Sequence, residues 1–173
     1  VDLLSESDIV EGRLREYQVY FMVGDHMADK AARALKQWVG DGGILVSVAG
    51  GGLWNEYHSP TGLLNEVYGI SGVQTAPQEE GEFLPGIDRV AGMKENRLVK
   101  EAQALRAKLE LVHARPMDEI RMEDHAGRMP VLGHRQGFKV EGGRVLGTFR
   151  NGEAAVVAND FGKGRALIMG FLP

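Results

Sequence analysis

Residues 27–52 constrain the fold more than any other part of the sequence. They begin with apolar residues that recur at helical spacing: Met27, Ala31, Leu35, Trp38 and Val39. One side of this helix therefore faces a core, and Asp25 is expected to cap its start. The helix is followed by ILVSVA at residues 44–49, an almost wholly apolar and largely β-branched run. Such a strand is typical of a parallel sheet that helices cover on both faces.

Apolar runs before and after this unit predict further strands. Residues 1–4 are interpreted as a first strand and residues 19–23 as a second, which gives a β-α-β-α-β order with right-handed connections. Residues 63–68 are expected to form a short helix that Gly69 ends.

Three more strands are predicted near the end of the chain, at residues 145–149, 154–158 and 165–171. The Asn-Gly pair at 151–152 is a hairpin signal, and residues 160–164 form a second turn. The predicted fold is therefore α/β: a flavodoxin-like three-layer sandwich whose sheet is mainly parallel, with antiparallel C-terminal strands.

Residues 70–128 are interpreted as an irregular excursion that contains one helix. Periodicity is lost over residues 70–92, helical spacing returns over 94–109, and a strand at 110–114 precedes a polar stretch. The whole chain, residues 1–173, is treated as one domain and is expected to come from a longer protein.

Composition excludes several classes of function. The net charge is −4 with no long basic run, so nucleic-acid binding has little support. No apolar run approaches the ~20 residues of a membrane span. The absence of cysteine removes disulfides, thiolate zinc sites and cysteine nucleophiles. It leaves a cytoplasmic and an exported location equally open.

Three glycines, at positions 50–52, follow the predicted strand at the end where α/β sheets place ligands. A phosphate cradle and a tight turn both suit them, and the turn is favoured because the dinucleotide and P-loop motifs are absent. Ser47 lies inside the strand without the Gly-x-Ser-x-Gly motif, which disfavours a serine hydrolase.

Polar residues follow the carboxyl ends of two predicted strands. Asp25 and His26 follow one strand, and Glu56 and His58 come soon after the glycine turn. The two pairs are expected to meet above the sheet, where they suit acid/base chemistry or metal binding. Solvated loops carry such residues as well, and no His-Glu-x-x-His motif occurs, so neither a metal nor a cofactor is expected.

Two aromatic residues, Trp54 and Tyr57, lie beside the glycine turn. Aromatic side chains on a loop stack on sugars or fill a protein interface, and the sequence leaves both alternatives open.

The helix followed by ILVSVAGGG resembles the nucleophile turn of the class I glutamine amidotransferase-like superfamily. In active members a catalytic cysteine precedes a glycine in this turn, and Ala49 occupies that position here. Active members also supply a His-x-Glu pair from a later strand, which none of the five histidines here forms. The resemblance therefore implies the fold without the nucleophilic chemistry.

More specifically, the chain resembles the non-catalytic, trimerisation-type domain of family 42 β-galactosidases and related multidomain glycoside hydrolases. The matching stretches are VDLLSESDI, ALKQWVGDGGILVSVAGGG and GEAAVVANDFGKGRALIMGFLP. The resemblance implies that the catalytic carboxylates lie in a separate barrel domain. It also implies contacts with other domains of the same chain and with like subunits, as a homo-trimer or dimer. The expected interface residues are Trp54, Tyr57, Phe83 and Leu84.

Two hypotheses follow. In the first, the chain is an accessory or oligomerisation domain of a larger carbohydrate-active protein. In the second, it binds a small molecule or sugar, with possible hydrolysis, at the loops that carry Asp25, His26, Glu56, His58, Trp54 and Tyr57.

Overall fold

The computed structural model describes residues 1–78, 116–124, 126–131 and 134–172. Four helical segments lie in these residues: α1 (Glu6–Val10), a 3-10 helix (Arg13–Glu16), α2 (Asp29–Gly40) and α3 (Asn65–Tyr68). The strands are β1 (Val19–Val23), β2 (Ile44–Val48), β3 (Ile70–Gln78), β4 (Asp118–Met122), β5 (Arg128–Val131), β6 (Arg135–Val140), β7 (Arg144–Phe149), β8 (Ala154–Phe161) and β9 (Gly164–Met169). None of the described helices is both long and apolar enough to cross a membrane.

The nine strands form one mixed sheet in the order β1-β2-β9-β8-β7-β4-β5, and β6 pairs with both β8 and β3. Only β1 with β2 and β2 with β9 are parallel, and the other six pairings are antiparallel. An α/β fold with antiparallel C-terminal strands is confirmed. The prediction of a mainly parallel sheet is wrong for the described strands, and their helices do not establish a flavodoxin-like three-layer sandwich.

All four helical segments contribute to one apolar core on one face of the sheet. Helix α2 buries Ala31, Leu35 and Val39 there completely. Helix α1 and the 3-10 helix add Ile9 and Leu14 to the same cluster. The predicted helix at residues 27–39 therefore forms because its apolar stripe is covered by the sheet.

The start of helix α2 corrects one prediction. Asp25 does not cap it. The N-cap residue is Ala28, whose methyl side chain accepts no hydrogen bond from the helix. Two glutamates from elsewhere replace the cap. Glu6 Oε1 accepts from the N–H of Ala28 at 3.2 Å, and Glu56 Oε2 accepts from the N–H of Asp29 at 2.9 Å. Carboxylates at this helix end also suit its dipole.

Of three further predictions about the first 78 residues, one helix end is confirmed and two assignments are wrong. Gly69 ends helix α3 with φ 68°, as expected. Residues 1–4 form no strand, however, and residues 70–78 form strand β3 rather than an excursion. Strand β3 forms without hydrophobic periodicity because it pairs with β6. This pairing contains three register shifts.

The interpretation of residues 70–128 as irregular fails again at its other end, where β4 and the start of β5 lie within the stretch predicted to be polar and irregular. The predicted helix at 94–109, the strand at 110–114, and Phe83 and Leu84 lie outside the described residues. In the C-terminal part, β7, β8 and β9 confirm the three predicted strands. Gly152, with φ 87°, confirms the hairpin turn between the first two.

Candidate functional site

The turn after β2 has an unusual backbone. Ala49, Gly50, Gly51 and Gly52 all have positive φ, at 53°, 105°, 64° and 64°. A Cβ atom at position 50 would lie 2.4 Å from the Cβ of Asp25, so glycine is needed for the turn to pass the end of β1. Ala49 has no such freedom and adopts a conformation that costs an L-residue about 1 kcal/mol.

Backbone hydrogen bonds then tie the segment after β1 to the segment after β2. The N–H of Trp54 donates to the carbonyl of Asp25 at 2.8 Å, and the N–H of Met27 donates to the carbonyl of Trp54 at 2.9 Å. This short parallel bridge places His26 beside Trp54, with their ring centroids 6.3 Å apart. The two loops therefore meet above the sheet.

Asp25, His26 and His58 form a hydrogen-bonded row in this place. Asp25 Oδ1 lies 2.6 Å from Nδ1 of His26, and Nε2 of His26 lies 2.8 Å from Nδ1 of His58. With a proton on Nδ1 of His26, its Nε2 accepts a hydrogen bond from the Nδ1–H of His58. The carboxylate therefore orients the first imidazole, and the first imidazole orients the second.

His58 reaches this position through a turn that Asn55 organises. The Asn55 Oδ1 atom accepts from the N–H groups of Tyr57 and Ser59, both at 3.0 Å, and the Asn55 carbonyl accepts from His58 at 3.1 Å. His58 itself has φ 55°, which this Asx turn supports. The sequence contained this signal, an Asn four residues before a Ser in a loop, but the role of Asn55 was not predicted.

The row has the geometry of a proton relay and not of a metal centre. Its ring nitrogens face each other instead of one common point, and no group of three potential ligands occurs in the described part of the chain. Both histidines are exposed, and Asp25 is half-buried. The arrangement is suited to proton transfer or to hydrogen bonding with a ligand above Trp54.

Two other predicted site residues, Glu56 and Tyr57, are not part of this hydrogen-bonded row. Glu56 holds the start of helix α2, and the hydrogen bond from the Asp29 N–H keeps the pKa of Glu56 below its usual value. Tyr57 is 76% exposed. The structure therefore places Asp25, His26, His58 and Trp54 together and gives Glu56 a structural contact.

Beside Trp54 lies an open groove of about 500 Å³. Its lining carries no charged side chain and combines apolar groups with neutral hydrogen-bonding groups: Leu53, Trp54, Pro60, Thr61, Gly62, Asn65, Ser71, Gly72, Val73, Gln74 and Ala76. This chemistry suits a neutral ligand that has both hydroxyl groups and an apolar face.

Ser47 is part of the core. It is fully buried, its Oγ lies 2.6 Å from the hydroxyl of Tyr68, and that hydroxyl donates to the carbonyl of Gly51 at 2.9 Å. Burial raises the pKa of Tyr68 well above its usual value, so both groups stay neutral. They hold the glycine turn in place.

A buried charged cluster at the other end of the sheet was not predicted. Arg135 donates from Nε to Asp118 at 2.7 Å and from a terminal nitrogen to Glu153 at 3.0 Å, while its guanidinium lies 4.3 Å from the ring centre of Phe149. Thr75 donates to the other oxygen of Glu153 at 2.5 Å. The cluster connects β3, β4, β6 and the turn before β8.

The pKa shifts in this cluster follow from its hydrogen bonds. Burial acts to raise the pKa of Asp118, but the hydrogen bonds from Arg135 and from the Glu119 N–H outweigh it, and the pKa lies below its usual value. The Thr75 hydroxyl lowers the pKa of Glu153, and Arg135 adds to the effect. Both carboxylates are therefore charged, and the cluster is a structural ion pair.

Known structures share this fold at low sequence identity. The GH42 β-galactosidase Gan42B superposes with a TM-score of 0.65 at 15% identity, and the match covers 94% of this chain and 20% of that one. The β-galactosidase from Bacillus circulans sp. alkalophilus gives 0.63 at 19% identity, covering 94% and 21%. A cytoplasmic protein from Salmonella typhimurium LT2 gives 0.57 at 14% identity, covering 99% and 69%.

The chain therefore spans about a fifth of the β-galactosidases that it resembles, and at these identities the resemblance is one of fold. No protein-family model and no curated protein sequence matches the chain. The matches therefore show a fold that this chain shares with about a fifth of each GH42 enzyme and with most of the Salmonella protein.

Proposed function

We propose that this chain is a non-catalytic accessory domain that helps to assemble a larger carbohydrate-active protein. The observation that carries the proposal is the fold match, which covers 94% of this chain but only 20% or 21% of the β-galactosidases. In this proposal, the domain contacts other domains of its own polypeptide and like subunits, in a trimer or dimer.

The turn at Ala49 supports the absence of chemistry in this domain. It follows a buried strand with a φ of 53°, and the side chain there is a methyl group, which is no nucleophile. We therefore also propose that the fold is amidotransferase-like and that Ala49 occupies the position of the catalytic cysteine of active members.

The test is an activity assay of the 173-residue chain with glutamine and with a nitrophenyl galactoside. No turnover above the buffer rate is expected. Turnover that disappears in His26→Ala or His58→Ala would contradict the proposal, since those residues form the row above the sheet.

A second candidate function is the binding of a neutral small molecule, such as a sugar, beside the row. The uncharged groove at Trp54, next to His26, favours it. Titration with galactosides while following tryptophan fluorescence tests this function. Saturable quenching that is lost in Trp54→Ala but kept in Tyr57→Ala would support it, and a flat signal at millimolar sugar would remove it.

A further inference from the structure

Strand β1 has the sequence of an interior strand but lies at an edge of the sheet. Among the described strands it pairs with β2 alone. Its residues Val19–Val23, VYFMV, include no charge, proline or glycine. Proteins usually protect an edge strand with charged residues, proline or a bulge, because a free edge recruits further strands.

The other edges in the described part of the chain carry such protection. Strand β5 has four residues and contains Arg128 and Pro130. Strand β3 contains Gly72 and follows its partner β6 through three register shifts. The absence of protection is therefore particular to β1 among these edges.

The free hydrogen-bonding groups of β1 belong to residues whose side chains are also exposed. The Gln18 carbonyl accepts from Ile44 and the Gly24 N–H donates to Val48, so even-numbered residues face β2. Because the pattern alternates, Val19, Phe21 and Val23 direct their N–H groups to the free edge.

The side chains of these three residues share one face of the sheet, on which Phe21 and Val23 are each 71% exposed and Val19 is 40% exposed. Ile44, the register partner of Val19, continues the face and is 39% exposed. Parallel strands are normally covered on both faces, and the helices of the described residues cover only the opposite one.

We infer that the free edge and bare face of β1 bind an extended, apolar segment from another part of the same larger polypeptide, which adds a strand beside β1. The lack of charge over Val19–Val23 calls for an apolar partner. The β-galactosidases of similar fold are about five times as long as this chain, since it spans 20% of their length, which leaves ample polypeptide to supply it. This inference rests on the proposed accessory role.

Hydrogen exchange of the backbone amides tests the inference, measured on the 173-residue chain and on the complete polypeptide that carries it. The N–H groups of Val19, Phe21 and Val23 should exchange more than about 100-fold more slowly in the complete polypeptide, including after dilution to single subunits. The amides of Tyr20 and Met22, which face β2, serve as the internal control and should be protected in both.

Each other outcome overturns the inference, and each outcome that shows protection also identifies the occupant of the edge. Rapid exchange in the complete polypeptide leaves the edge free. Protection in a monomeric 173-residue chain assigns the edge to a segment of that chain, and protection that follows dimerisation assigns it to a second copy. Protection that is lost on dilution of the complete polypeptide assigns it to a neighbouring subunit. A failure of the accessory role would appear separately, as an unchanged subunit number when the domain is deleted.

A substitution gives an independent test. Phe21→Lys should lower the thermal midpoint of the complete polypeptide but leave that of the 173-residue chain unchanged. Val10→Lys, on the exposed side of helix α1, is the matched control and should change neither. Equal midpoints for both variants in the complete polypeptide would overturn the inference.

Discussion

The two ends of the sheet differ in how far their contacts are completed within the described residues. At the antiparallel end, β4, β6 and the start of β8 surround a buried arginine whose two carboxylate partners are both in place. At the parallel end, β1 exposes apolar side chains and free N–H groups. Within the described residues, the buried charges of the antiparallel end are paired, whereas β1 at the parallel end has one uncovered edge and one uncovered face.

The largest effect is expected at the antiparallel end. Arg135→Ala should lower the free energy of unfolding by about 3–5 kcal/mol, because Asp118 and Glu153 would lose the buried cation that pairs with both of them. Arg165→Ala removes an ion pair with Asp160 that is exposed on both sides and should cost less than about 1 kcal/mol. Urea denaturation compares the two variants. Equal losses would show that the buried cluster adds no particular stability.

The next prediction compares the two faces of the parallel end. Leu35→Ala, on the helix-covered face, should cost about 2–5 kcal/mol because Leu35 is fully buried. Phe21→Ala, on the bare face, should change the unfolding free energy of the 173-residue chain by no more than about 0.5 kcal/mol. A large loss for Phe21→Ala in urea denaturation of that chain would mean that its side chain is already covered there.

A smaller effect is expected when the pH falls. The folded-state pKa values of Asp118 and Glu153 are depressed, so the unfolded chain binds more protons in acid. Their contribution to stability is present above the unfolded pKa values, near pH 4, and is lost as the pH falls through the folded ones. Unfolding free energies measured from pH 6 downward should therefore decline less steeply in Asp118→Asn. The same slope in both proteins would contradict this account.

The smallest effect concerns the turn after β2. Ala49→Gly should raise the free energy of unfolding by about 0.5–1 kcal/mol, because glycine adopts the positive φ without strain. The same substitution at Ala34, inside helix α2, should lower it by about 1 kcal/mol. Thermal and urea unfolding of both variants check the opposite signs. A loss at position 49 would mean that the turn is not strained by alanine.

The regularity of each end determined how much of the fold could be predicted from sequence. At the parallel end, the stripe of helix α2 and the apolar run of β2 are local signals, and both were predicted correctly. Strands β3 and β6 contain glycine, proline or charge and depend on pairing between residues that are 57 to 70 positions apart in the chain. Such strands carry little local signal, because cross-strand contacts decide their structure.

The candidate site shows the same division. Asp25, His26 and His58 come after strand ends, which predicts that they lie close together, and the hydrogen-bonded row agrees with that position. The sequence does not show that Glu56, and not Asp25, binds the start of helix α2. The path of the chain into the helix decides which carboxylate reaches its N–H groups. The pairing of Arg135 with Asp118 and Glu153 could not be predicted from sequence, because only the folded sheet brings these residues together.

The central claim, that this domain serves assembly and not chemistry, is tested most directly by deleting residues 1–173 from the complete polypeptide and measuring its mass by light scattering over a range of concentrations. The account predicts that the intact polypeptide forms a stable trimer or dimer and that the deletion variant is a monomer. An unchanged subunit number after deletion would contradict it.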